Sequence, residues 1–187
     1  MKKKLLFITT LLFIISANSF AQKVKVDYDK NADFSKYKTI EFLGWQNDID
    51  QVLNEFDQKR VREAFKTEFE SRNLKKDDDN PDMTFSLYLV VTEKTSVTGY
   101  TNYYGGYGRG YRRGGWGWGG GHSTTNYTED DYLEGTMVLD VYDAKSKNLI
   151  WQAVGTGTVQ EKPEKREKSI PKSVKKMMKK FPIKPVK

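Results

Sequence analysis

From Met83 to Val91 the chain alternates strictly, with Met83, Phe85, Leu87, Leu89 and Val91 falling on one side. A period of two marks a β-strand with one buried face, because successive side chains leave an extended backbone on opposite sides. This run predicts the third strand of the chain and the longest, and it commits the fold to a sheet. Gly135 to Tyr142 gives a fourth strand and Leu149 to Val159 a fifth, with Trp151 assigned to the core. The six residues Asp143 to Asn148 between them predict an antiparallel hairpin with a polar turn. The inward residues expected from this pattern include Phe85, Leu87 or Leu89, Leu139 and Trp151. Upstream, Val24, Val26 and Tyr28 alternate with Lys25, Asp27 and Asp29 as a first strand. Tyr37 to Trp45 reads as a second, after a turn at Asn31-Ala32-Asp33, and Gly44 with Asn47-Asp48 ends it.

Two segments carry the helical period instead. Over 49–74, Ile49, Val52, Leu53 and Phe56 share one face, and Val61, Ala64, Phe65 and Phe69 follow at helical spacing. The step from Phe56 to Val61 is out of phase, which predicts a short turn and then a main helix from about Asp57, its expected cap. Lys75 to Asp82 reads as a loop. Near the C-terminus, Ile170, Val174, Met177 or Met178, and Phe181 predict a second helix, capped by Ser169, with Pro171 in its first turn and Pro182 and Pro185 beyond its end. The fold class is therefore α+β: one largely antiparallel sheet of about five strands, two helices packed on one face, in the order β-β-α-β-β-β-α. An antiparallel sheet of this kind can leave its other face partly open to solvent.

The N-terminus speaks to location. Lys2 to Lys4, the apolar run Leu5 to Ile15 and the small-x-small close at Ser19-Phe20-Ala21 are the three regions of a secretory signal peptide. The run is shorter than the roughly 18 apolar residues of a spanning helix. Residues 1–21 are expected to be removed, leaving 22–187 as a single exported domain with no transmembrane segment, in the periplasm or at the periphery of an outer membrane. The chain has no cysteine, so disulfides, thiolate catalysis and a lipid-bearing N-terminal cysteine are all excluded. The formal charge is +7, but residues 161–187 hold 11 basic against 3 acidic residues, so the basicity belongs to the tail.

Between the third and fourth strands, residues 100–121 contain 10 of the 15 glycines. Ordering so many glycines costs about 1–2 kcal/mol of backbone entropy each, so this segment is expected to be a long loop or an extended hairpin tip. It carries Tyr103, Tyr104, Tyr107, Arg109, Tyr111, Arg112, Arg113, Trp116 and Trp118, the candidate ligand-binding residues of the chain. Arginine and glycine interleaved with aromatics suit RNA, but export removes that partner, so nucleic acid is not expected. The same rings stack on sugars and sit at membrane interfaces, which leaves a glycan, a lipid surface or another envelope protein.

Three stretches resemble a known family. Asp27-Tyr28-Asp29-Lys30-Asn31-Ala32-Asp33-Phe34-Ser35-Lys36-Tyr37-Lys38-Thr39 is similar to the opening of the domain-of-unknown-function 4136 family. Gly135 to Lys145, followed by Leu149-Ile150-Trp151, resembles its C-terminal hairpin, and Lys165 to Lys168, Val174 to Met177 and Phe181-Pro182 resemble its ending. The resemblance covers nearly all of 22–187. It implies a periplasmic or outer-membrane-associated domain and carries no established activity, so no functional residue transfers with it.

Other chemistry is thin. His122 is the only histidine, and although Glu129, Asp130 and Asp131 follow it, no metal-site spacing pairs with it. Asp77, Asp78, Asp79, Asn80 and Asp82 lack the order of a calcium loop and read as an acidic turn. No serine lies in a nucleophile elbow, and Gly105 to Gly110 lacks the Gly-Lys-Ser/Thr of a phosphate loop. The C-terminal lysines surround a narrow apolar stripe, as in helices that bind anionic membrane surfaces, but the preferred reading is a terminal helix that packs Ile170, Val174, Met177 and Phe181 on the sheet with its lysines solvated. No catalytic residue, metal or cofactor is assigned. The leading expectation is a non-enzymatic envelope protein that binds or scaffolds another envelope component. A glycan or cell-wall binding module using the loop aromatics is the second, and an enzyme built on a carboxylate site, such as Asp140 with Asp143, the third.

Overall fold

A computed structural model describes residues 22–103 and 123–186; the expected signal segment 1–21 lies outside the described residues. The strands are β1 (Lys23–Tyr28), β2 (Thr39–Trp45), β3 (Lys75–Lys76), β4 (Met83–Tyr103), β5 (Ser123–Asp143) and β6 (Leu149–Thr158). The helices are α1 (Glu55–Glu70) and α2 (Pro163–Met178), with 3-10 turns at Phe34–Lys36 and Ile49–Gln51. The class is α+β, with one sheet in the order β1-β6-β5-β4-β2-β3.

That sheet is mixed and has six strands, which corrects the expectation of five in a largely antiparallel arrangement. β1, β6, β5 and β4 are antiparallel neighbours, but β2 pairs with both β4 and β3 in parallel. The reason lies in connectivity. α1 carries the chain back along the sheet between β2 and β4, so two strands that become neighbours must point the same way. The order β-β-α-β does not disclose this, because it leaves open whether the second and third strands touch. The extra strand, β3, is two residues within the segment expected to be a loop.

The hairpin of β4 and β5 is longer than its apolar alternation. Each arm has 21 residues and the ladder runs unbroken from Met83↔Asp143 to Tyr103↔Ser123. Residues 100–103 therefore belong to a strand, as the extended-hairpin form of the expectation for 100–121 has it, and residues 104–121 lie outside the described residues. The turn between β5 and β6 is the polar one expected. Lys147 takes a positive φ of 60° there, while Asp143 accepts hydrogen bonds from the Ser146 and Lys145 backbone N–H groups at 2.8 and 3.1 Å.

Both helix starts differ from expectation. α1 is capped by Asn54, whose Oδ1 accepts the Asp57 N–H at 3.0 Å, and Asp57 returns the contact by accepting from Asn54 Nδ2 at 3.0 Å. Asp57 is thus inside the first turn, in a reciprocal capping pair. The short turn predicted before it is the 3-10 turn at Ile49–Gln51. Phe56, grouped with the apolar face, is 76% exposed. α2 begins at Pro163, where a missing N–H is harmless, so Ser169 is not its cap and Pro171 stands on the solvent side within the helix.

Both helices pack on one face of the sheet. Phe65 and Phe69 of α1 meet Phe85 of β4, and Met177 of α2 lies over Gly155 of β6. Phe85, Leu87, Leu89, Leu139 and Trp151 are all buried, as the alternation requires. Phe181, just past α2, closes the core with its ring 5.0 Å from Trp151 and 5.9 Å from Phe69.

Candidate functional site

The sheet rows end well before the β4–β5 hairpin does. β6 last pairs with β5 at Glu134↔Thr158, and β2 last pairs with β4 at Trp45↔Leu87. Beyond Glu134 the two arms continue as a ribbon with no other strand beside it among the described residues, reaching about 35 Å at the usual rise per residue. Both edges of such a ribbon are unpaired, a hazard that charged side chains blunt. Glu93, Lys94, Glu129, Asp130 and Asp131 are exposed along it, with Thr95 donating to Asp131 at 2.8 Å. Val97 and Tyr127 are also exposed, the latter at 72%.

Tyr103 is the last residue of β4, opposite Ser123. The other candidates, Tyr104, Tyr107, Arg109, Tyr111, Arg112, Arg113, Trp116 and Trp118, lie outside the described residues, as does His122. They belong to the stretch that joins the two ends of the ribbon.

The carboxylate pair does not form a site. Asp140 and Asp143 are three residues apart on one strand and so lie on opposite faces of the sheet. Asp140 accepts from Gln152 at 2.7 Å and Gln46 at 3.2 Å on the face without helices. Asp143 accepts the Tyr37 hydroxyl at 2.8 Å on the other. The Ser146 backbone N–H chiefly, and then the Tyr37 hydroxyl, hold the Asp143 carboxyl well below the usual carboxylate range against the opposing effect of burial. The acidic stretch 77–82 is likewise spent on turns: Asp77 accepts from the Asp79 and Asn80 N–H groups, and Asp82 from those of Lys38 and Thr39. Among the described residues no three His, Asp or Glu converge as metal ligands.

Sequence reasoning missed a cleft of about 310 Å³ at the root of the ribbon, between the two helices and the sheet. Its walls include Val61 of α1, Leu89 and Met137 of the sheet, and Ile170, Val174 and Met177 of α2. Its floor is Gly135, Gly155 and Gly157, where strands carry no side chains. Gly155 lets Met177 and Gln22 approach the strand closely, since a Cβ there would stand 2.7 Å from Met177 Sδ and 2.8 Å from Gln22 Nε2 and both side chains would have to shift. A Cβ at Gly157 would meet Gln22 Cγ at 3.5 Å, an ordinary van der Waals contact, so that position tolerates a side chain packed against Gln22. The volume is near the lower end of small-molecule pockets, roughly 300 Å³.

One end of the cleft is ionic. Asp57, 1% exposed, is bonded by Arg60 Nη1 at 2.5 Å and by Arg166 Nε at 2.6 Å. Burial pushes the Asp57 carboxyl up, but the hydrogen bonds from Arg60 and then Arg166 outweigh it, and the net shift is downward. Arg166 Nη1 also donates to the Gln160 carbonyl at 3.0 Å and to that of Glu161, so its charge is consumed locally. The remaining surface of the cleft is more apolar than polar, with Gln22, Asn54, Thr158, Gln160, Ser169 and Ser173 as its polar side chains. The sequence signal for it was present but dispersed: three glycines inside strands, where glycine marks a close approach or an empty space.

The model of the family described as domain of unknown function (DUF4136) matches residues 24–183. No curated protein matches at a significant level. Among solved structures, a PDZ domain protein from Parabacteroides distasonis is similar at 13% identity and a TM-score of 0.52, with 87% of this chain aligned to 36% of that one. This chain therefore spans about a third of that protein, and the likeness is one of fold. The PelC dodecamer from Paraburkholderia phytofirmans is similar at 8% identity and a TM-score of 0.46, over 84% of this chain and 95% of that one. A variant of the same dodecamer gives 9% and 0.44 over the same shares.

Proposed function

The chain belongs to the DUF4136 family, and on that premise we propose that it is a non-enzymatic, exported protein of the cell envelope that binds or scaffolds another envelope component through the end of its ribbon. The observation that carries this reading is the β4–β5 ladder, which continues eleven rows past the last one shared with β6. An isolated two-stranded ribbon is marginal in water. Its arms over 93–98 and 127–133 contribute no buried residue to the core, so its length is accounted for by reach. The stretch it carries holds the densest set of aromatic and arginine side chains in the sequence. Each ring adds roughly 1 kcal/mol when it meets an aromatic or cationic partner group.

Replacing 104–122 by an Asn-Gly turn tests the reading, because that pair favours a two-residue hairpin. The expected result is a melting temperature close to that of the parent, together with loss of partners recovered from envelope extracts. A variant that keeps every partner and its retention on purified cell wall overturns the proposal. Loss of cell-wall retention alone, with protein partners kept, identifies the ligand as glycan.

Export has its own test. The N-terminus of protein recovered from the envelope is expected by mass spectrometry to be Gln22 or its cyclised form. Recovery of residues 1–21 still attached overturns removal of the signal.

A further inference from the structure

α2 presents two kinds of surface to the same side. Arg166, Ser169, Ile170, Ser173, Val174 and Met177 line the cleft. At about 100° per residue, Lys165, Lys172 and Lys176 fall on the flank beside Ser169 and Ser173, with Lys168 and Lys179 next around the helix. All five are exposed, and among the described residues none of them is in an ion pair. Lys176 is at the cleft itself, where its Nζ donates to the carbonyl of Gln22, a lining residue. From Lys168 to Lys187 the chain has eight lysines and no acidic residue. From Lys172 onward this row of cations along the border of the cleft has no acidic residue near it in sequence, whereas Lys165 and Lys168 stand one turn after Glu161 and Glu164.

We propose that this cleft takes one acyl chain of an anionic membrane lipid while the lysine flank of α2 rests on the surrounding headgroups. The apolar walls and glycine floor match a hydrocarbon chain, which needs shape and no hydrogen bonds. The ionic end cannot supply the headgroup site, because Arg166 is committed to Asp57 and to two carbonyls. The lysines can. From Lys165 to Lys176 they extend along about 16 Å of helix, more than a single carboxylate or phosphate occupies, so their charge complements a surface and not one free fatty acid. The inference draws on the envelope location proposed above for access to lipid, and it makes no use of the ribbon.

The test is co-sedimentation of the full exported chain with vesicles of phosphatidylglycerol and phosphatidylcholine in equal parts, against phosphatidylcholine alone. Binding is expected only to the anionic vesicles and is expected to weaken as salt is raised. Equal binding to both, or to neither, overturns the proposal. Gly157→Leu and Ser173→Leu each place a side chain in the cleft from a different wall, and each is expected to weaken vesicle binding about tenfold with the salt dependence kept. Lys172→Glu with Lys176→Glu, on the exposed surface, is expected to abolish binding. Parent-like binding by the filled variants, or by the charge-reversed one, overturns it. Monomeric lysophosphatidylglycerol is expected to bind the unaltered chain in equimolar ratio, and its failure to do so overturns it without reference to any variant. The turn-replaced ribbon keeps this reading apart from the preceding one: its vesicle binding is expected to match the parent, and loss there places lipid contact at the ribbon and overturns the cleft.

Discussion

Asp57→Ala is expected to remove about 3–5 kcal/mol of stability, a large part of the roughly 5–15 kcal/mol that holds a domain folded. Among the described residues the carboxylate is the only anion in ion-pair contact with Arg166 and Arg60, and it ties the first turn of α1 to the first turn of α2. Its loss strands two guanidinium groups, one of them largely buried, and removes half of the capping pair with Asn54. Asp57→Asn separates charge from shape, because it keeps the volume and can still accept one hydrogen bond. The pH dependence follows from the direction of the shift. A carboxyl depressed below its ordinary 3.8 contributes stability that is complete above that value and is lost as pH falls through the lower folded one. Urea unfolding of Asp57→Asn and parent should therefore differ most at neutral pH, with the gap narrowing as pH is lowered below 3.8. A constant gap across that range would mean that shape, not charge, holds the corner.

What the sequence disclosed and what it hid divide along the range of the interactions. Phe85, Leu87 and Leu89 are buried where their alternation placed them, since period two is a property of the backbone and needs no neighbour. The turn at Asp143 to Asn148 was legible for the same local reason. The parallel pairing of β2 with β4 was not, because it depends on which strands meet across α1. The outer arms were hidden in another way. From Thr92 to Thr98 the residues are Thr, Glu, Lys, Thr, Ser, Val and Thr, rich in β-branched side chains but without an apolar face, because no core lies beside them. Asp57 was mistaken for a cap because an acidic residue at a helix start has two roles, and only its distance to Arg166, 109 positions away, decides between them. The cleft was the least legible feature. Its floor is three positions without side chains, Gly135, Gly155 and Gly157, and a missing side chain leaves no period in the sequence.

The last strong expectation concerns Phe181, which reads from sequence as the final residue of a helix and is in fact the keystone of the C-terminal segment. Its ring is fully buried, edge-on to Trp151 at 5.0 Å and to Phe69 at 5.9 Å, with Phe34 at 6.1 Å. Behind it, Arg72 donates to the Met178 and Ile183 carbonyls at 3.0 Å each, and the Val186 N–H reaches the Ser71 carbonyl at 2.8 Å. Phe181→Ala leaves a void among three aromatic rings that cannot close without moving both helices, and is expected to cost about 3–5 kcal/mol. For a chain of this size that corresponds to a fall in melting temperature of roughly 10 °C. Phe56→Ala is the matched control, the same change of residue at a position 76% exposed, and is expected to shift the midpoint only slightly. Thermal unfolding followed by far-ultraviolet circular dichroism compares the two directly. Equal, small shifts would show that residues 181–186 lie on the domain without closing its core, and the edge-to-face contact with Trp151 would then have no energetic weight.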